Sequence, residues 1–257
     1  MTSPVETTTQ SGVLRVCINR PEKRNALSMA TLDAIAAAFI DVADDDDLRI
    51  AVLTGAGDKS FAAGGDLKEL ASVKGEEAAV AMATRAKAAL NAVRNFPLPV
   101  IAALNGDALG GGAELAMACD MRVAASHARI GFIQGKLGIT SAWGGGVDLM
   151  RLIGPARALQ MMTRMEVLAP ADASAMGLYN ATADEGTTLE DTVEIFIGPM
   201  REQSPHVMRA FKEMALHLRR KNREEMDTLE TRNFGFAWAH PDHDSAVDRL
   251  LNNTRVT

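Results

Sequence analysis

Two glycine-rich segments hold the residues of this chain best suited to chemistry, residues 60–67 (SFAAGGDL) and residues 105–115 (NGDALGGGAEL). Neither carries the Gly-x-x-x-x-Gly-Lys-Ser/Thr pattern of a phosphate-binding loop or the Gly-x-Gly-x-x-Gly pattern of a dinucleotide site. Gly110, Gly111 and Gly112 stand where a helix begins, so they offer bare amide N–H groups at the positive end of a helix dipole. Such groups stabilise an anion, including one that develops only in a transition state. Glycines there also let a strand and a helix pack closely, and the residues alone do not decide between the two uses. Glu114 follows in the first helical turn, where a carboxylate gains about 0.3–1 kcal/mol from the dipole. Its neighbours Ala113, Leu115, Ala116, Met117 and Ala118 are all apolar. A carboxyl so flanked is expected to be buried, and general acid or base work is a reason to bury one.

The remaining reactive side chains are less promising. Trp143 precedes three glycines and reads either as a core anchor or as a lid on a pocket. His240 and His243 flank Pro241 and suggest helix capping more than a metal centre, and no metal site is expected. His127, His206 and His217 stand alone. Cys17 and Cys119 lack metal-ligand spacing and read as two free, buried thiols of a reducing compartment. No Gly-x-Ser-x-Gly elbow occurs, so nothing supports a serine hydrolase.

The elements that must position these groups follow from hydrophobic period and turn chemistry. Residues 13–18 alternate as a strand, and Ser28 suits the N-cap of a helix to about residue 42, with Leu32, Ile35, Ala36 and Phe39 on one stripe. Asp44 to Asp47 lack the alternating ligands and glycine turn of a calcium loop and read as a solvated connection. Strands are expected at 48–54, 99–104 and 121–125, with helices at 76–95 and 112–118. This alternation favours a mostly parallel sheet covered by helices. Beyond residue 145 helices dominate, at 147–153, 155–163, 170–176, 189–202, 205–219, 223–238 and 241–251. Pro155, Pro170, Pro205 and Pro241 each suit a first helical turn.

Of the 257 residues, 47% are hydrophobic and 23% charged, a globular balance. The net charge of −6 argues against nucleic-acid binding, which normally shows a basic stripe. The short basic run Arg219 to Arg223 reads as a solvated helix junction. The polar first ten residues make no signal peptide, and no apolar run is long enough to span a membrane. A cytoplasmic protein is expected.

With these residues in place, the chain resembles the enoyl-CoA hydratase/isomerase (crotonase) family. The likeness rests on residues 20–27 (RPEKRNAL), 61–67 (FAAGGDL), 105–120, 137–139 (LGI) and 143–146 (WGGG), in this order. It implies an α/β fold, a spiral of repeated ββα units over residues 1–195, with a C-terminal helical region over 196–257 that joins trimers, often paired as hexamers. By position it assigns the oxyanion N–H groups to Gly65 and Gly111 and the first catalytic glutamate to Glu114. It puts Arg24, Ala26, Lys59, Ala63, Asp66 and Leu67 along bound coenzyme A, and Trp143 beside the acyl group. The implied substrate is an acyl-CoA thioester, with no cofactor beyond the coenzyme A it carries.

One departure bears on the reaction. Hydratases of the family carry a second glutamate where this chain has Gln134, which cannot give or take a proton at neutral pH. The resemblance therefore leaves open an enoyl-CoA hydratase and a decarboxylase of a malonyl-type CoA. An enoyl-CoA isomerase, or a non-catalytic acyl-CoA or RNA-binding module on the same scaffold, remains an alternative.

Overall fold

The computed structural model describes residues 3–253; the outermost ends of the two expected regions, residues 1–2 and 254–257, lie outside them. Among the described residues, ten strands form two sheets. They are β1 (Val5–Gln10), β2 (Val13–Ile18), β3 (Ile50–Gly55), β4 (Ser60–Ala62), β5 (Val100–Leu104), β6 (Asp107–Leu109), β7 (Met121–Ala124), β8 (Ile130–Gly131), β9 (Val167–Leu168) and β10 (Ala181–Thr182). The larger sheet has the order β1-β2-β3-β5-β7-β10 and the smaller β4-β6-β8-β9. Pairing is antiparallel at β1/β2 and β8/β9 and parallel elsewhere.

The helices are α1 (Met29–Ile40), α2 (Leu67–Leu70), α3 (Gly75–Arg94), α4 (Gly111–Ala118), α5 (Gly145–Ile153), α6 (Pro155–Thr163), α7 (Pro170–Ala175), α8 (Leu189–Arg201), α9 (Pro205–Arg220), α10 (Arg223–Ala239) and α11 (Pro241–Asn253). The chain visits the large sheet, then the small one, then a helix: β3-β4-α3, then β5-β6-α4. This is the expected spiral of ββα turns. Among the described residues no helix is long and apolar enough to cross a membrane.

The long strands stand where the hydrophobic runs lie, because β3 and β5 are buried on both faces and read as continuous apolar sequence. The short strands of the small sheet carry no such signal. Two or three residues are too few to display a period. Strand β1 was also unforeseen: Val5 is buried and the other five residues are exposed, since it forms an edge whose ladder bonds go to β2. Of the thiols, Cys119 is buried but Cys17 is only half-buried, because its strand lies next to that exposed edge.

Local signals hold where the sequence is explicit. The Ser28 hydroxyl accepts from the Thr31 N–H at 3.1 Å and caps α1. Ser28→Ala is expected to lower stability by about 1 kcal/mol, read as a lower urea midpoint with an unchanged m-value; no change would mean that solvent caps the helix as well.

The run Arg219 to Arg223 corrects an expectation. Lys221 and Asn222 do turn the chain between α9 and α10, but Arg219 and Arg223 point inward. Both hold Asp148 of α5, at 3.0 and 2.6 Å, and Arg94 of α3 holds the same carboxylate at 2.7 Å. Burial alone would push the Asp148 carboxyl up; the three guanidinium groups outweigh it and hold it far below the ordinary range. The junction is thus an ion cluster pinning α9 and α10 to the core, and two of its arginines are not free to meet phosphates.

Candidate active site

Helix α4 carries Glu114 into the core because glycine opens its path. A Cβ on Gly112 would stand 1.9 Å from the Ala62 carbonyl oxygen of β4, so no other residue permits this approach. The packing use of these glycines is therefore realised at Gly112. Gly111 opens the helix, and its N–H is among the first-turn donors without an intrahelical acceptor. A Cβ there would meet the Trp143 ring at 2.3 Å. Trp143 is 5% exposed, so it is a buried anchor, and the same ring forms a wall of the cavity beside Gly111.

Across from α4, Gly65 makes an isolated parallel bridge with Leu27. The two bonds of that bridge use the Gly64 carbonyl and the Asp66 N–H. In extended chain successive N–H groups alternate in direction, so the Gly65 N–H faces away from Leu27. A Cβ on Gly64 would lie 3.7 Å from the Gly111 nitrogen, which shows how closely the two glycine segments approach.

Glu114 is 2% exposed and surrounded by donors. Its Oε2 accepts from the N–H groups of Trp143 at 2.8 Å and Gly145 at 3.0 Å. Its Oε1 accepts from the Ala142 N–H at 3.3 Å and from Gln134 Nε2 at 3.1 Å. The carboxyl thus sits against the N-terminus of α5, and the benefit expected from its own helix dipole is joined by a second one. Burial pushes the Glu114 carboxyl up to about 7; the negative charge of Glu230 adds to this, and the three backbone N–H groups hold it back.

A cavity of about 170 Å³ gathers Gly65, Gly111, Glu114, Gln134, Trp143, Ala63 and Leu67, so these expected site residues share one space. Leu70, Met82, Phe234 and Trp238 complete its apolar wall. Larger hollows exist, one of about 400 Å³ behind Gln134 and Thr140 and one of about 770 Å³ beside Asp148. Neither is lined by Glu114 or by the two glycines, so the smaller cavity is the one equipped for chemistry.

Arg24, Ala26, Lys59 and Asp66 do not line the cavity. Asn25 organises this neighbouring surface: its Nδ2 donates to the carbonyls of Ser60 at 2.7 Å and Ala56 at 3.0 Å. That tie brings the segment bearing Arg24 against the loop bearing Lys59, and both cations are exposed. Arg24 and Asn25 take left-handed backbone, φ 51° and 55°, which Asn tolerates better than most residues. Asp66 is engaged by Arg20 at 2.8 Å. Burial would raise its carboxyl, but the hydrogen bond and charge of Arg20 hold it below the ordinary carboxylate range.

Sequence reasoning missed Asn25, Arg20 and Glu230. The Asn that follows Arg24 is a turn signal that could have found the first; nothing local marks the other two, whose carboxylate and ammonium partners, Asp66 and Lys87, are distant in the chain. Around Pro241, the His240 Nδ1 accepts from the Asp242 N–H at 3.3 Å, a capping contact. The His243 Nδ1 stands 2.7 Å from the Leu137 carbonyl oxygen, and its ring packs 4.2 Å from that of Trp238. Among the described residues no group of His, Cys, Asp and Glu is arranged to hold a metal.

Known proteins resemble this chain in sequence and fold. The family model described as enoyl-CoA hydratase/isomerase matches residues 8–252. A crotonyl-CoA hydratase of Syntrophomonas wolfei is 34% identical over 93% of this chain and 91% of its own. A probable enoyl-CoA hydratase of Bacillus subtilis is 31% identical over 90% of this chain and 89% of its own. The crystal structure of an enoyl-CoA hydratase from Bacillus anthracis superposes with a TM-score of 0.78 at 31% identity, covering 88% of this chain and 90% of that one. Sequence and fold agree, and the chain belongs to the enoyl-CoA hydratase/isomerase family.

Proposed function

We propose that this protein is a lyase that adds water across the double bond of a short-chain enoyl-CoA, with Glu114 carrying the proton. The observation that carries the reading is a single buried carboxyl, pushed up to about 7, in a cavity it shares with the backbone of Gly65 and Gly111. The thioester oxygen binds the two N–H groups, which stabilise the enolate that forms as water attacks the β-carbon; one such donor is worth about 2.7–4 kcal/mol of barrier. Glu114 takes the proton of the attacking water and returns it to the α-carbon, so the carboxyl ends each cycle as it began. A group with both forms accessible near neutral pH suits both steps. The Gln134 amide donates to Glu114 Oε1, which leaves its own carbonyl oxygen to accept from the water.

The small apolar space supports a short acyl group. Arg24 and Lys59, exposed on adjoining segments, suit the phosphates of coenzyme A, with Ala26, Ala63, Asp66 and Leu67 along its arm. No further cofactor is invoked. The reading extends to a trimer or hexamer joined through residues 196–257, supported by Phe211, Met214 and Leu218, which present an exposed apolar stripe along α9. Two free thiols support a cytoplasmic setting.

Gln134 keeps one other reaction in view. Decarboxylation of a malonyl-type CoA forms the same enolate and needs a single proton donor afterwards, so one carboxyl suffices. Incubation with crotonyl-CoA, and separately with methylmalonyl- and ethylmalonyl-CoA, distinguishes them by product mass. Gain of one water on crotonyl-CoA is expected. Loss of carbon dioxide from the malonyl esters with crotonyl-CoA untouched overturns hydration in favour of decarboxylation.

A further inference from the structure

We propose that Glu230 of α10 is a positioning residue for the reaction: it fixes the loop whose amides grip Glu114 and sets a second negative charge behind that carboxyl. The inference rests on Glu114 as the proton carrier. Glu230 is 8% exposed, although it lies on a helix far along the chain from the glycine segments. Its Oε2 accepts from the Gly144 N–H at 2.8 Å and its Oε1 from the Ser141 hydroxyl at 2.8 Å. Four consecutive amides, from Ala142 to Gly145, therefore point into two carboxylates. Gly144 serves Glu230, and its neighbours Ala142, Trp143 and Gly145 serve Glu114.

Without the bond at Gly144, the loop has one anchor fewer at its centre, and the three donors to Glu114 lose their register. The room for this contact is made by glycine: a Cβ on Gly146 would meet the Ser141 hydroxyl at 2.2 Å and Glu230 Oε1 at 3.2 Å.

Electrostatics adds a second role. Glu230 is the charged neighbour that acts on Glu114, in the direction of the protonated form. Its own counter-charge is Lys87 of α3, whose Nζ stands 3.1 Å from Glu230 Oε2 and 3.7 Å from Asp227, and donates to the Asp227 carbonyl and the Thr231 hydroxyl, each at 2.9 Å. Asp227 is paired in turn with Arg223 at 2.9 Å. The Lys87 ammonium thus ties α10 to α3, while the Glu230 carboxylate acts as a like charge on Glu114, to which the neutral Gln134 amide donates. The helix that carries two walls of the cavity, Phe234 and Trp238, would in this way also set the basicity of the proton carrier.

The test is the pH profile of Glu230→Gln, an isosteric change that keeps an oxygen for the Gly144 N–H and removes the charge. Loss of a like charge is expected to move the acid limb of kcat/KM to lower pH by about one unit, so that kcat/KM at pH 6 relative to pH 8.5 rises about fivefold. A merely structural role would lower activity at both pH values and leave the ratio alone. Glu230→Asp, which keeps the charge, is expected to hold the parent ratio. A ratio unchanged or lowered in Glu230→Gln, with Glu114→Gln inactive, overturns the role of Glu230 and leaves that of Glu114 standing. Carbon-13 titration of the Glu114 carboxyl, assigned with Glu114→Gln, reads the coupling without turnover. A midpoint in the ordinary carboxylate range in the unmodified protein overturns the proposal even if the variants fail to fold. Full activity in Glu114→Gln overturns the proton-carrier reading instead.

Discussion

Glu114→Gln is expected to lower kcat/KM for the enoyl-CoA by about 10²–10⁴-fold, the usual worth of a general acid or base. The amide is isosteric but cannot take the proton of water or return it to carbon. It also offers an NH2 group where the carboxyl accepts from Trp143, Gly145 and Ala142, so one of its two oxygens' sets of donors loses its partner. The pH dependence gives a sharper signature. In the parent, hydration needs the ionised carboxylate to start, and burial pushes that group up to about 7. Activity should therefore fall with a slope of one as pH drops below neutrality, and the residual activity of the variant should show no such limb. A variant within threefold of the parent, or one that keeps the limb, would remove Glu114 from the chemistry.

Asp148→Asn should cost about 3–5 kcal/mol of stability, the range for breaking a buried ion pair by removing one partner. Asp148 is 5% exposed and receives Arg94, Arg219 and Arg223, so the amide would leave three guanidinium groups without their common counter-charge. Carbonyl oxygens offset part of the loss: Arg94 also donates to Trp143 at 2.7 Å and Arg223 to Gly144 at 3.0 Å. The sign of the pH dependence follows from the depressed carboxyl. Asp148 is held below the ordinary value of about 3.9, so its contribution is fully present above that pH and is lost as pH falls towards the folded-state value. The gap between parent and variant in urea unfolding should be constant from pH 5 to 8, as ordinary conditions lie above both values, and should narrow only in acid. Equal midpoints at pH 7 would mean that the carbonyls alone satisfy the three arginines.

These two residues also differ in how they could be read. Glu114 lies in the first turn of a helix among apolar neighbours, and its burial was legible from that local setting, whereas its proposed role came from the family resemblance. The long strands, the Ser28 cap and the proline-started helices were legible for the same reason, since period, capping and φ restriction act within a few residues. The glycines at positions 65 and 111 were assigned as donors by resemblance alone, and Gln134 stood out as a departure. Asp148, Glu230 and Asn25 were not. Each owes its role to partners distant in the chain, 54 positions for Arg94 and Asp148 and 89 for Ser141 and Glu230, or to a loop 31 and 35 positions on, as for Asn25.

Residue order alone carried the alternation of strands and helices, a buried glutamate beside a glycine run, and the likeness to the family. The tertiary structure decided what that glutamate touches. Its donors come from the N-terminus of α5, its like-charged neighbour from α10, and its cavity wall from a tryptophan that only glycine at position 111 can admit. It also decided that the basic run at residues 219–223 turns inward, because a charge run reads as solvated until a buried carboxylate elsewhere in the chain is found to face it. The physical reason is one of range: backbone preference and hydrophobic period are properties of neighbouring residues, whereas a carboxyl's basicity and a guanidinium's burial depend on charges and amides that only the folded chain brings within a few ångströms.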